Sequence, residues 1–423
     1  MLTYEQALSQ ILQLSAGYER HTESVDFRAA LGRVLAGPIE AGFDLPRFNN
    51  SAVDGYGVLV EDLVQASEEN PVKLKLDGQL AAGANKADQA NSVHEIRPGH
   101  CLRILTGAPV PDSVEAMVMK EFCQVDQDVV AIKRQARIGE NIRMQGEEVE
   151  AGASVLGQGF LISPPIVGLL ATLGQTSINV FKQPRVAVVS TGDELVEPGE
   201  ELKDCQIYNS NSHALVAALK AVGTQQIQTY HTKDDREQTR AVLQDALAQS
   251  DVVISIGGVS VGERDYVKET FEALSVRTVF WRISIKPGKP VYFGVVESVD
   301  EAVSGVQKLV FGLPGNPVSA LVTFNLFVKP ALKVMQGLKE KVQRITTAKL
   351  ARNLKKKAGR QEFVRGTLES AEDGSLVAYA TTGQESHMLT GLAAADCLML
   401  FASELEFLPE GAALPVQLLN WHE

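Results

Sequence analysis

The sequence predicts a multidomain α/β protein whose centre is a mainly parallel sheet with helices on both faces. Three observations carry that expectation. Residues 184–335 alternate apolar strand text with helical text, the pattern of right-handed β–α–β crossovers. Residues 57–145 and 339–423 instead carry short alternating runs broken by Gly, Asp and Pro, which reads as strands and hairpins. Finally, 423 residues at about 150 per domain make roughly two to four domains.

Taken in chain order, the opening residues place Glu5 among helically spaced apolar side chains with no basic leader, so they read as an amphipathic helix rather than a signal peptide. Helical text continues to about Ala36, and a second helical apolar face is expected within 150–182, stopped at Gly174. The predicted domains are a discontinuous helical linking domain (1–45 with 146–183), a β-rich lobe (46–145), an α/β domain (184–338) and a C-terminal β domain (339–423) forming a small barrel or open sheet. Inside the α/β domain, the almost wholly apolar run at 252–256 fits a strand covered on both faces. Asn316 and Pro317 suit the N-cap and first turn of a long helix.

Composition narrows the function classes. Lys plus Arg is 40 against 52 Asp plus Glu, a net charge of −12, so general binding to nucleic acid or anionic membrane is disfavoured. The apolar stretch around residues 160–174 is interrupted by Pro164 and Pro165 and is too short for a membrane span. Cys101, Cys123, Cys205 and Cys397 are scattered without metal-ligand spacing, as expected of thiols in a cytoplasmic, soluble protein. The seven histidines show no paired spacing either.

The chemistry gathers where strands end. Glu194, Asp234 and Asp265 each follow a strand's carboxyl end, where open α/β sheets bind ligands. Together they suit Mg²⁺ shared with substrate phosphates, although acids there can also cap helices. Two glycine turns follow apolar strands: Gly257-Gly258-Val259-Ser260-Val261-Gly262 and Gly312-Leu313-Pro314-Gly315-Asn316-Pro317. Small residues let backbone N–H groups approach an anion there, or simply make tight turns. Lys286 and Lys289, on a proline-bounded turn, suit an oxyanion. In the first half, Asp54 and Thr106, with Arg47 and Arg103, stand out in loops that turn geometry alone does not explain.

In this order these segments resemble the molybdopterin molybdenumtransferase family, MoeA, which includes the E domain of gephyrin. The resemblance runs through Asn50-Ser51-Ala52-Val53-Asp54-Gly55-Tyr56, Thr106-Gly107-Ala108-Pro109, Gly139-Glu140-Asn141-Ile142-Arg143, Ser190-Thr191-Gly192-Asp193-Glu194-Leu195, both glycine turns and Lys286-Pro287-Gly288-Lys289-Pro290. It implies a four-domain homodimer that takes adenylylated molybdopterin and molybdate, requires Mg²⁺, releases AMP and leaves molybdenum on the dithiolene. By that resemblance Glu194, Asp234 and Asp265 serve the metal and substrate, and Lys286 faces an anion. Arg282, Lys289, Gly257, Gly258, Ser260, Gly262, Pro314, Gly315, Asn316, Pro317 and Ser386 bind substrate, while Asp54 and Thr106 reach in from the partner subunit's lobe. The implied partners are the preceding molybdopterin adenylyltransferase and the apo-molybdoenzymes, with no nucleic acid and no membrane.

The family pattern is not followed everywhere. Val53 stands for Met, Gly57 for Ala, Glu148 for Asp, Cys205 for a turn glycine, Asn209 for Asp, Ile256 for Ser or Thr, and Arg282 for Lys. A planar guanidinium does not duplicate an ammonium. The competing functions are the adenylyltransferase step itself and a catalytically silent scaffold or binding protein of the same fold.

Overall fold

The computed structural model describes residues 1–83, 95–258, 266–297, 306–338, 345–419 and 421. It comprises two compact units: Met1–Gly37 with Gln158–Gly168 and Gln175–Glu423, and Pro38–Gly157 with Leu169–Gly174.

The first unit is organised by a six-stranded sheet. Its strands are β1 (Val186–Thr191), β2 (Ile227–Thr232), β3 (Val252–Ile256), β4 (Arg277–Trp281), β5 (Tyr292–Glu297) and β6 (Val306–Leu313), in the order β2-β1-β3-β6-β5-β4. The first four of that order run parallel, and β5 and β4 add antiparallel at the far edge. Helices α1 (Ser210–Ala221), α2 (Arg236–Gln249) and α3 (Val267–Ala273) follow β1, β2 and β3.

Burial explains the strand text. Val186, Val188, Ile254 and Ile256 face one core, and Ala187, Val189 and Val253 face another. With both faces covered, nearly every position is apolar, the buried Ser190 and Ser255 excepted, and each buried Val or Ile contributes about 1.5–3 kcal/mol.

Pro317–Met335 has a mean hydropathy of 1.4 and is long and apolar enough to cross a membrane, but it is 83% buried as the core helix of this unit. It contains a π-turn at Phe324–Val328. Pro330 lies just beyond, and its missing N–H and bulky ring disrupt the regular α ladder.

Tyr4, on the N-terminal helix Tyr4–Ala16, packs its ring tilted against Phe327 (5.7 Å) and edge-on against Phe363 (5.0 Å). It thereby joins the core helix to a C-terminal barrel of β7 (Ile345–Leu350), β8 (Gln361–Ser370), β9 (Leu376–Ala380), β10 (Cys397–Phe401) and β11 (Ala413–Leu418). The order β8-β9-β7-β11-β10 closes because β10 also pairs with β8. The C-terminal region is therefore a barrel rather than an open sheet.

Two helical expectations are corrected. The first helix ends at Ala16 with Gly17 as its C-cap, and Thr22–Asp26 forms a strand paired with Ser177–Phe181. That stretch alternates exposed and half-buried residues, a two-residue period that a helix cannot satisfy. Within 150–182 the helix covers only Pro164–Thr172, between strands Ser154–Leu156 and Ser177–Phe181. Pro164 opens it because the first turn needs no N–H donor.

The second unit holds another six-stranded sheet, ordered Ala116–Met119, Gly55–Val58, His100–Ile104, Val72–Leu80, Val129–Ile132 and Cys123–Asp126. Its two faces bury separate clusters, one around Tyr56, Val58 and Cys101 and the other around Leu102, Ile104 and Met117.

All four cysteines are free. Burial pushes the Cys101, Cys123 and Cys397 thiols up to about 12, whereas Cys205 is exposed. Since the thiolate is the nucleophile, native protein at pH 8 should react with one equivalent of a thiol reagent rapidly and with the rest only after unfolding. Cys205→Ser should remove the fast phase, and a fast phase that survives this change would contradict the assignment.

Candidate functional site

The parallel register sets a common rim. Thr232 pairs with Thr191, Ser190 with Ile256, and Ile256 with Leu313, so β2, β1, β3 and β6 end level. Beyond these ends come Asp234, Glu194, the pair Gly257-Gly258, and Pro314-Gly315-Asn316 respectively. Three neighbouring strands, β2, β1 and β3, thus lead into the segments carrying the sequence-predicted acids. Asp265, Ser260 and Gly262 lie outside the described residues.

The 282–291 turn joins the same rim. Tyr292 pairs with Gly312 on one side and Trp281 on the other, which places the β4–β5 connection at the carboxyl end of β6. Arg282, Lys286 and Lys289 are on that turn, held by Arg282 N–H to Val291 C=O (3.0 Å) and Ile283 N–H to Lys289 C=O (3.1 Å). Arg282 adopts φ +80° and lays its guanidinium 4.2 Å from the Trp281 ring centroid. Such a backbone is uncommon without glycine. The Lys286 ammonium lies 3.3 Å from the Glu362 carboxylate on β8, and Lys286 is half-exposed while Glu362 is largely buried.

The glycine turns pack closely. Gly258 has φ +67°, and a Cβ there would collide with Val267 at the start of α3. A Cβ on Gly315 would stand 3.8 Å from the Gly257 Cα. Gly258 therefore cannot carry a side chain without strain, so backbone is what that turn presents there, whereas a Cβ on Gly315 would make only ordinary contact. Asn211 Nδ2 donates to the Gly315 carbonyl at 2.6 Å.

Pro317 begins the core helix and Asn316 occupies its N-cap position without making a side-chain cap bond. The Asn316 Nδ2 instead donates to Ser386 Oγ at 3.0 Å, and the Val318 N–H donates to the Ser386 carbonyl at 3.2 Å. Ser386 is thereby tied to the rim. Its loop is held from below by Arg365, 1% exposed, whose Nη2 donates to the carbonyls of Gly383 and Glu385.

The helix-cap alternative for the acids is answered for the two described residues. The α2 N-cap is Asp235, which accepts from the Gln238 N–H at 2.8 Å, not Asp234. Glu194 precedes a two-residue strand, Leu195–Val196, rather than a helix. Among the described residues no three His, Cys, Asp or Glu side chains form a metal-sized group. Glu194 and Asp234 follow the ends of the neighbouring strands β1 and β2, and carboxylate oxygens are the donor type that Mg²⁺ takes, one or two at a time with substrate oxygens and water.

In the second unit the lobe motifs converge on one another. Strand Asn50–Ser51 pairs with Ile142–Arg143, Gly107 N–H donates to Ser51 C=O at 2.8 Å, and Ala52 N–H donates to Asn141 C=O at 2.9 Å. Asp54 Oδ1 accepts from the Thr106 N–H (2.9 Å) and hydroxyl (2.8 Å). These bonds, with Lys120 at 3.6 Å, hold the Asp54 carboxyl below its ordinary pKa. Asp54 and Thr106 are thus bonded to each other, with the carboxylate half-exposed. Sequence reasoning missed Lys120, Asn211 and Glu362, each of which acts through a partner distant in the chain.

Comparisons with known proteins agree along the whole length. Residues 2–174 match the MoeA N-terminal region (domain I and II), 187–334 a probable molybdopterin binding domain, and 347–419 the MoeA C-terminal region (domain IV). The chain is 36% identical over 398 residues to molybdopterin molybdenumtransferase 2 of Mycobacterium tuberculosis (strain ATCC 25618 / H37Rv), covering 93% of this chain and 94% of that protein. It is 34% identical over 423 residues to the molybdopterin molybdenumtransferase of Haemophilus influenzae, covering 99% of each. The crystal structure of the molybdopterin biosynthesis moeA protein from Pyrococcus horikoshii OT3 superposes with a TM-score of 0.80 at 30% identity, covering 99% of this chain and 100% of that one. On this full-length agreement of motifs, fold and sequence, the chain belongs to the MoeA family.

Proposed function

We propose that this chain inserts molybdenum into adenylylated molybdopterin, using molybdate and releasing AMP. The observation that carries this is the single rim where four level strand ends and the β4–β5 turn bring carboxylates, glycine turns and cations together. Both substrates are anions and the chain carries −12, so local groups must overcome an unfavourable overall field.

Glu194 and Asp234, with Asp265 from the sequence, would hold Mg²⁺, which when bound neutralises phosphate charge. The amides of Gly258, Gly315 and Asn316 cradle phosphate oxygens. Lys286, Lys289 and Arg282 attract molybdate, and Ser386 orients it through its hydroxyl. Two repelling anions are thus fixed side by side, and positioning supplies much of the rate. Water adds across the phosphoanhydride, so that AMP leaves and molybdopterin keeps its own phosphate, and no covalent bond to the protein forms.

The working form is a homodimer, in which Asp54 and Thr106 of the partner subunit approach the rim. Support comes from the hydrogen-bonded Asp54–Thr106 pair, which presents a half-exposed carboxylate.

The test is to incubate the protein with adenylylated molybdopterin, molybdate and Mg²⁺, following AMP release and reconstitution of an apo-molybdoenzyme. Folded protein releasing no AMP above a protein-free control would end this assignment. An adenylylated or phosphorylated enzyme trapped during turnover would end the non-covalent part of it.

A further inference from the structure

Resting on the function proposed above, we infer that the pterin head of the substrate docks beside the rim, in the cavity between edge strand β2 and the start of α1, with Glu197 as its recognition group. That cavity has a volume of about 170 Å³ and is lined by Ser190, Glu197, Asn209, Ser212, His213 and His231, among others. Ser190 ends four residues before Glu194, so a ligand here lies within reach of phosphates held at the rim.

The polar groups are built rather than incidental. Glu197 Oε1 accepts from Asn209 Nδ2 at 3.0 Å, and Oε2 lies 2.8 Å from His213 Nε2. The His213 contact holds the Glu197 carboxyl below its ordinary pKa, so it is ionised at neutral pH. Asn209 is 4% exposed and fixed by its own N-cap bond to the Ser212 N–H. Ser190 Oγ lies 3.1 Å from His231 Nδ1. Each Glu197 oxygen thus uses one lone pair within the protein and keeps another for a ligand. Ser212, 6% exposed, has a hydroxyl with no hydrogen-bond partner among the described residues.

This donor and acceptor set selects a heterocycle. A carboxylate with two free lone pairs matches adjacent N–H donors, as in the N3–H and 2-amino edge of a pterin. A hydroxyl without a partner can donate to its 4-oxo group. Adenine offers one donor beside an acceptor nitrogen, which a carboxylate repels, so the AMP half of the substrate fits this cavity poorly.

The test uses 6-hydroxymethylpterin as the probe, with binding followed by calorimetry on the full chain. Wild type should bind it, and Glu197→Gln should weaken binding at least tenfold. Val216→Phe, which fills the cavity wall, should abolish binding, with thermal melts verifying the fold of both variants. Lumazine, carrying a 2-oxo in place of the 2-amino group, should bind wild type more weakly than the pterin. Unchanged pterin affinity in both variants, no pterin binding at all, or AMP rather than pterin being displaced by Val216→Phe would each overturn the inference. Pterin binding with this pattern in a protein that releases no AMP would remove the proposed reaction and leave the subsite standing. AMP release with pterin binding insensitive to both variants would do the reverse.

Discussion

Asp234→Asn is expected to lower the rate of AMP release about 10²–10³-fold, at a helix start whose cap is supplied by the next residue, Asp235. Its neighbour should behave in the opposite way. Asp235 caps α2 by accepting from the Gln238 N–H, so Asp235→Ala should cost about 1 kcal/mol of stability and leave turnover close to that of the parent. The adjacent pair thus separates two duties that carboxylates perform at strand ends. Asn keeps the size of Asp and one acceptor oxygen, but puts an NH2 donor in place of the other and loses the charge that holds a divalent cation. The Asp234→Asn defect should therefore shrink as Mg²⁺ is raised, which a folding defect would not do. Measuring initial rates across Mg²⁺ concentrations, together with thermal melts of both variants, decides the matter. Equal activity loss in the two variants, tracking their melts, would mean that Asp234 also serves only the fold.

Which of these duties could be seen in the sequence depends on how local the cause is. The β1 and β3 strands were legible because each is buried on two faces, leaving nearly continuous apolar text, whereas β2, the largely exposed edge strand, was legible only from its place between two helical stretches. Their acids were legible because a parallel sheet ends its strands together. Asp234 and Asp235 could not be told apart, because the cap is decided by which side chain meets the N–H of Gln238. Asn316 looked like a cap from its neighbour Pro317, yet its amide turns to Ser386, 70 residues away. Asn211 was absorbed into the start of α1, and its bond to Gly315 spans 104 residues. Glu362 was invisible beside Lys286 for the same reason, at a separation of 76. Helical text after Ala16 misled because short runs with few apolar residues fit either period, and only the partner strand Ser177–Phe181 decides between them.

Gly55→Ala should destabilise the β-rich unit by about 3 kcal/mol, although Gly55 sits in a motif that looks like a functional loop. Gly55 opens the strand Gly55–Val58, flanked by Ala116–Met119 on one side and His100–Ile104 on the other. A Cβ there would run into the Val118 carbonyl, which is backbone and cannot rotate away. The strands would have to separate, straining the adjoining Asp54 C=O bond to the Lys120 N–H and the Asp54 carboxylate bonds to Thr106. Gly57 gives the contrast within the same strand. A Cβ at Gly57 would meet only side-chain ends, Val114 Cγ1 at 2.9 Å and Ile104 Cδ1 at 3.0 Å, and these can shift. Since the family pattern carries Ala at that position, Gly57→Ala should cost under about 1 kcal/mol. Hydrogen exchange at residues 55–58, 100–104 and 116–119, with denaturant midpoints, would measure both variants. If Gly55→Ala kept wild-type protection in those strands, the close backbone approach would not be what requires glycine. If it lost protection there while the strands of the α/β sheet kept theirs, then the Asp54 loop depends on Gly55 through packing, and lost activity in that variant would reflect a displaced Asp54 rather than a role for the glycine in chemistry.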